Sequence, residues 1–226
     1  MQTAVQPCRM RLYLSSFRLG SRPDTLLDLL NGGRRTAVVS NAIDIASDDD
    51  RAASCERERA DLAALGLEPA ELDLRDYFGR PEALRERLAD IDLLWVRGGN
   101  VFVLRRALAQ CGAEQVLLEM LAADAFVYGG YSAGAVLLTP SLHGIELVDD
   151  PADVPDGYDP EVIWDCLDVL PFHLLPHYDS PGHPETEAID HSLAYMIENH
   201  LPFIALRDGQ AMVFDGERKR VVGRPE

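Results

Sequence analysis

Tyr128-Gly129-Gly130-Tyr131-Ser132-Ala133-Gly134-Ala135-Val136-Leu137-Leu138 decides how this chain is read. The stretch begins at the end of the apolar run 125–128, turns through small residues and leaves as a helix-forming run. That order predicts a buried strand feeding a helix. Within it, Gly130-x-Ser132-x-Gly134 has the spacing of a nucleophile elbow. A serine on so sharp a turn projects its hydroxyl beyond the sheet. The crowded backbone two residues before and after it then needs small residues. The following helix would aim its first amides and positive dipole end at the same point. A Gly-rich turn carrying an incidental serine is the plainer alternative.

Working outward, 93–96 reads as a strong strand running into Gly98-Gly99-Asn100, and Val101, Leu104 and Leu108 then fall on one face of a helix. Upstream, strands are expected at 11–14, 36–39 and, weakly, 72–74, with helices at 23–30, from about 51 to 65, and at 81–90. Asp48-Asp49-Asp50 reads as a solvated loop supplying an N-cap and acidic first turn, in preference to a metal site. A further helix is expected at 114–123, before the elbow. Downstream, 146–168 turns rich in Asp and Pro and reads as a loop or flap over the site. An apolar run ends at His177, a helix follows at 184–199, and short strands at 203–206, 211–214 and 221–222 close the chain. Residues 1–8 read as a loose leader. Alternating strands and helices imply an α/β fold, with a mostly parallel sheet, helices on both faces and a short β-rich C-terminal end. One domain over 1–226 is the simplest division.

Composition narrows the function classes. With 38 acidic against 21 basic residues the formal net charge is −17, which argues against nucleic-acid or anionic-membrane partners. Lys219 is the sole lysine, a bias ascribed to genome composition. Cys8, Cys55, Cys111 and Cys166 are scattered without metal-type spacing and read as reduced thiols used as small apolar residues. No run approaches the roughly 18 apolar residues of a membrane span, and the N-terminus lacks an apolar signal core. A cytoplasmic location is the expectation.

Sites in such sheets gather at the carboxyl ends of strands, where Gly98-Gly99-Asn100, Ser132 and His177 all fall. A serine hydroxyl needs an adjacent base, and the base an orienting acid. Of six histidines, His143, His173, His177, His183, His191 and His200, only His177 is expected at a strand exit. Asp179, Asp208 and Asp215 are the acids available downstream, and Asp208 follows a strand. A structural histidine and an ordinary turn aspartate before Gly209 remain the alternatives.

Three segments resemble those of peptidase family S51, the dipeptidase E and cyanophycinase relatives. They are Gly98-Gly99-Asn100-Val101-Phe102, the elbow Gly130-Tyr131-Ser132-Ala133-Gly134-Ala135, and Pro176-His177-Tyr178. Residues 205–209, Ala-Leu-Arg-Asp-Gly, match more loosely. The resemblance implies a class I glutamine amidotransferase-like, flavodoxin-like fold. It implies Ser132 as nucleophile, His177 as base and Asp208 as third member, with Asp179 as the competing acid. The amides of Gly99 and Ala133 would form the oxyanion hole, and Asn100 and Glu185 would meet substrate. The order Ser…His…acid differs from the Ser…acid…His of α/β-hydrolases. No metal or cofactor is required; a short peptide is the expected substrate and a homodimer the candidate assembly. An imidazole near its reference value would give activity rising through about pH 6–7.5.

Specificity departs from the family. Where an arginine is expected after Gly182-His183 the chain has Glu187, which would repel an aspartyl side chain. Broader or carboxypeptidase-like specificity is therefore expected first and an aspartyl dipeptidase second, with Arg97 or Arg207 as replacement cation. An amidotransferase is disfavoured because the elbow carries serine instead of cysteine. A catalytically silent ligand-binding relative is the reading from another class.

Overall fold

In the computed structural model, residues 10–224 are described, so the leader expected at 1–8 and Cys8 lie outside them. Strands β1 (Arg11–Ser15), β2 (Arg35–Val39), β3 (Glu68–Glu71), β4 (Leu93–Val96) and β5 (Val127–Tyr131) form a parallel sheet in the order β3-β2-β4-β5-β1. Strands β6 (His173–Leu175) and β7 (Phe203–Ala205) form a separate parallel pair. The hairpin β8 (Ala211–Asp215) and β9 (Arg218–Val222) extends the main sheet beyond β1, antiparallel to it. The helices are α1 (Pro23–Leu30), α2 (Asp48–Ala64), α3 (Pro81–Leu88), α4 (Val101–Cys111), α5 (Glu114–Ala122), α6 (Ala133–Val136) and α7 (Thr186–Glu198).

Successive side chains of a strand point to opposite faces, so a continuous apolar strand needs cover on both. β4 obeys this rule. Leu94 and Val96 enter one core with Val101, Leu104 and Leu137, while Leu93 and Trp95 enter a second with Leu26 and Leu62. The α4–α6 side and the α1–α2 side thus cover opposite faces, and the mostly parallel α/β architecture is as expected.

Several boundaries differ from expectation, each for a physical reason. The weak strand expected at 72–74 lies earlier, at Glu68–Glu71. It is an edge strand paired only with β2, so polar residues and Pro69 are tolerated there. Leu74–Tyr77 is a 3₁₀ turn capped by the Asp73 side chain. The acidic triplet is the first turn of α2, whose cap is Ser47, its Oγ accepting from the Asp50 amide. β5 continues through Gly129, Gly130 and Tyr131 because these residues pair with β1 and β4, and glycine is needed at 129, where a Cβ would lie 2.6 Å from the Trp95 ring. The apolar run ending at His177 does not join the main sheet; it supplies β6 of the smaller pair.

The Asp/Pro-rich stretch is irregular after a 3₁₀ turn at Ile145–Leu147, and it is strapped down more firmly than a free flap. The buried Arg106 guanidinium donates to the carbonyls of Pro151 (2.8 Å), Glu161 (3.1 Å), Asp153 and Pro160 (both 3.3 Å). Arg105 adds a bond to the Asp165 carbonyl at 2.7 Å. A loop unable to satisfy its own carbonyls has them satisfied by two arginines of α4.

Candidate active site

Ser132 follows β5 with φ 49° and ψ −120°, a left-handed conformation costly for any residue with a Cβ. The flanking glycines permit it. A Cβ on Gly134 would lie 2.0 Å from the Val96 carbonyl oxygen, and one on Gly130 2.7 Å from the same atom. The elbow therefore folds directly over the end of β4. Its helix, α6, is a single turn of four residues, so the dipole expected from a longer helix is largely lacking and the individual amides matter more.

Gly98-Gly99 brings the turn after β4 against the serine. A Cβ on Gly98 would lie 2.8 Å from Ser132 Cβ, and Gly99, at φ 141°, packs its Cα face on the Ala42 carbonyl. Among the described residues, neither the Gly99 nor the Ala133 amide is engaged by another group. Both line a cavity of about 480 Å³ together with Ser132 and His177.

The base comes from the smaller strand pair. β6 and β7 are parallel, so their exits lie side by side and bring His177 next to Asp208. His177 Nδ1 and Asp208 Oδ1 are 2.7 Å apart. Ser16, at the end of β1, bridges them: its Oγ accepts from the His177 amide at 2.8 Å and donates to Asp208 Oδ1 at 2.8 Å. The Asp208 amide donates to Ser180 Oγ at 2.9 Å. Burial pushes the Asp208 carboxyl up, but the hydrogen bond and charge of His177, with help from Ser16, hold it below the usual carboxylate range.

The rival acids lie elsewhere. Asp179 pairs with exposed Arg207, and Asp215 ends β8 opposite Arg11, at the far end of the sheet from Ser132. Among the other histidines, His143 stacks on Trp164 and His173 is buried within β6, its ring 3.2 Å from Ser141 Oγ. His183 stacks on His177, ring centroids 4.0 Å apart and 18° from parallel. Burial, and then the neighbouring His177, lowers the affinity of His183 for a proton. His177, His183 and Asp208 each offer a ligand atom within 4.8 Å of the others. Stacking nevertheless sends the in-plane lone pairs of the two rings parallel instead of convergent, so this arrangement is a poor metal cradle.

Asn100 lines the cavity, but its side chain is committed. Oδ1 accepts from the amides of Phe102 (2.8 Å) and Val103 (3.2 Å), capping α4. Nδ2 donates to the Asp150 carbonyl (2.9 Å) and to Asp153 Oδ2 (3.0 Å). Glu185 also lines the cavity, at the N-terminus of α7.

Two features escaped the sequence reading. Ser16 carried no motif; its position at a carboxyl strand end was the available signal. Asp149 accepts from the Val101 amide at 2.8 Å, and burial pushes its carboxyl up to about 7, with Glu185 and Asp153 adding to the rise.

The family model of peptidase family S51 matches residues 19–222. The chain belongs to peptidase family S51. Among relatives of this S51 chain, a peptidase E of Streptomyces coelicolor is 30% identical over 199 residues, 86% of this chain and 74% of that one. A protein named probable alpha-aspartyl dipeptidase of Drosophila melanogaster is 31% identical, over 64% of this chain and 57% of the relative. An uncharacterized peptidase of Listeria monocytogenes is 34% identical, over 62% of this chain and 67% of the relative. The matched stretch thus spans little more than half the length of some relatives. Of solved structures, a peptidase from an acI-B1 actinobacterium superposes with a TM-score of 0.70 at 17% identity, covering 96% of this chain and 90% of that one. A candidate peptidase E from Listeria monocytogenes gives 0.73 at 23% identity, covering 95% and 98%. These likenesses establish for the S51 chain the α/β fold described above.

Proposed function

We propose that this chain is a serine peptidase that hydrolyses short peptides through Ser132, His177 and Asp208. The observation that carries the reading is the 2.7 Å contact of His177 Nδ1 with Asp208, in the cavity that a strained elbow serine also lines. Asp208 holds a proton on Nδ1, which leaves Nε2 as the basic atom. Ser132 Oγ attacks the peptide carbonyl while Nε2 takes its proton. The Gly99 and Ala133 amides stabilise the oxyanion, each contributing about 3 kcal/mol in the transition state. His177 then passes the proton to the leaving amine, and water resolves the acyl-enzyme. Asn100 acts by holding the N-terminus of α4 and the loop beside it, and Glu185 meets the substrate at the rim.

Broader or carboxypeptidase-like specificity is the preferred form. Asp150, Asp153 and Glu185 line the cavity, joined by the charge of Asp149 above about pH 7, a distribution that disfavours a substrate rich in carboxylates and suits a peptide's amino terminus. The aspartyl dipeptidase reading is kept second, on the names of the relatives. Free thiols at buried Cys55, Cys111 and Cys166 suit a reducing cytoplasm.

The test is product analysis on Asp-Xaa dipeptides, neutral dipeptides, and longer peptides with free or blocked ends. Ser132→Ala is expected to lower kcat by about 10⁵–10⁶. Release of C-terminal residues from longer peptides supports the preferred form; cleavage confined to Asp-Xaa selects the second. Cleavage that survives Ser132→Ala refutes the mechanism.

A further inference from the structure

Arg97 leaves β4 just before Gly98-Gly99 and is the only arginine or lysine lining the catalytic cavity among the described residues. Its side chain is 15% exposed; Nε and Nη1 are buried without a hydrogen-bond partner, which leaves Nη2 as the guanidinium nitrogen open to a ligand. Among the described residues its one ion pair is long: Nε lies 3.7 Å from Glu58 Oε2. Glu58 is occupied by other donors, accepting from Trp95 Nε1 at 2.6 Å and from Tyr131 Oη at 3.0 Å. Buried Glu58 therefore balances the charge of Arg97 without saturating its N–H groups.

A guanidinium carries five N–H donors, and each buried donor left unmade is costly to the free protein. The other charged groups of the cavity differ in this respect. Asp149 is spent on the Val101 amide, Asp150 on the Ala152 amide and Asp153 on Asn100. Three of the four acids are thus committed to the chain, Glu185 being the exception, whereas Arg97 is the one arginine or lysine of the cavity among the described residues. A carboxylate in the cavity would accept a charge-assisted hydrogen bond from Nη2. Arg97 and Ser132 line the same cavity, so a carboxylate held by Arg97 would belong to the molecule that the nucleophile meets.

We infer that Arg97 is a carboxylate-binding subsite of the catalytic cavity, placed there by the end of β4 and kept charged by Glu58. The inference rests on the peptidase reading for its occupant, which is a carboxylate of the bound peptide. Two sources share that chemistry: an acidic side chain before the scissile bond, or the free α-carboxylate after it.

The test measures binding by calorimetry to Ser132→Ala, which cannot turn substrate over, using Asp-Leu, Asn-Leu and Asp-Leu-amide. Each of the last two replaces one carboxylate by its amide. One of them is expected to bind at least tenfold more weakly than Asp-Leu, and that difference is expected to fall below twofold when Arg97→Gln is added. Weak Asn-Leu identifies the side chain as the source; weak Asp-Leu-amide identifies the α-carboxylate. Because Arg97→Gln strands a buried glutamate, the series is repeated with Glu58→Gln present, and the same collapse of discrimination is expected. Arg97→Lys keeps the charge but not the planar guanidinium, and is expected to retain only part of the discrimination. Equal binding of all three peptides, or discrimination unaltered by these changes at Arg97, overturns the inference. Absence of Ser132-dependent cleavage by the wild type would instead count against the peptidase reading, since the binding measurement needs no turnover.

Discussion

Asp208 Oδ1 receives two hydrogen bonds, from His177 Nδ1 and from Ser16 Oγ, while the Ser16 hydroxyl also receives the His177 amide. Two residues from two other chain segments thereby fix one imidazole. Phe17 completes the enclosure, its ring 5.8 Å from that of His177 and close to edge-on. Replacing Asp208 with Asn should leave the fold intact but favour the wrong tautomer, lowering kcat by about 10³–10⁴. Asp179→Ala breaks only an exposed pair with Arg207 and should change kcat by less than about threefold. Ser16→Ala removes the bridge and is expected to lower kcat by about tenfold, with a stability loss of about 1–3 kcal/mol. Steady-state kinetics of the three variants decide the assignment; equal losses at Asp208 and Asp179 would refute it.

At the scale of elements, the N-terminus of α4 is where the irregular loop meets the sheet. Asn100 caps the helix and grips the loop at Asp150 and Asp153, while Asp149 takes the Val101 amide. Asp149 keeps its proton to about pH 7 when folded, against an ordinary 3.8. Between about pH 4 and 7 the folded chain therefore binds more protons here than the unfolded chain, and this contribution to stability falls as pH rises. Asp149→Asn retains the acceptor and lacks the titration. Wild type is thus expected to lose about 1 kcal/mol relative to Asp149→Asn between pH 5 and pH 8, a modest figure because the carboxyl is partly open to the cavity. Urea denaturation at the two pH values measures it; a gap independent of pH would refute the expectation.

For the whole molecule, two parallel β systems are set so that their carboxyl ends face one cavity. The main sheet brings the elbow and the Gly98-Gly99 turn, and the β6–β7 pair brings His177 and Asp208. A net charge of −17 is carried over this single frame. Self-repulsion at that charge is screened by salt, so the Tm is expected to rise by about 2–5 °C between 20 mM and 200 mM NaCl, and a flat or falling Tm would show that the surface ion pairs dominate. Local patterns sufficed for much of this organisation. Short continuous apolar runs located β1, β2 and β4, and period-3.6 spacing with end signals located most helices, because burial is written in the order of residues. The elbow was legible because backbone crowding at Ser132 demands small neighbours. The Glu68–Glu71 edge strand was not, since an edge needs no apolar pattern. Nor was the separation of β6 and β7 from the main sheet, since the same apolar run satisfies either. The contact of His177 with Asp208 and of Asp179 with Arg207, the Ser16 bridge, the committed side chain of Asn100 and the unsatisfied guanidinium of Arg97 depend on groups far apart in the chain. Hydrogen bonds of that kind leave no periodic trace in the sequence; only the crossing of the elements decides which donor meets which acceptor.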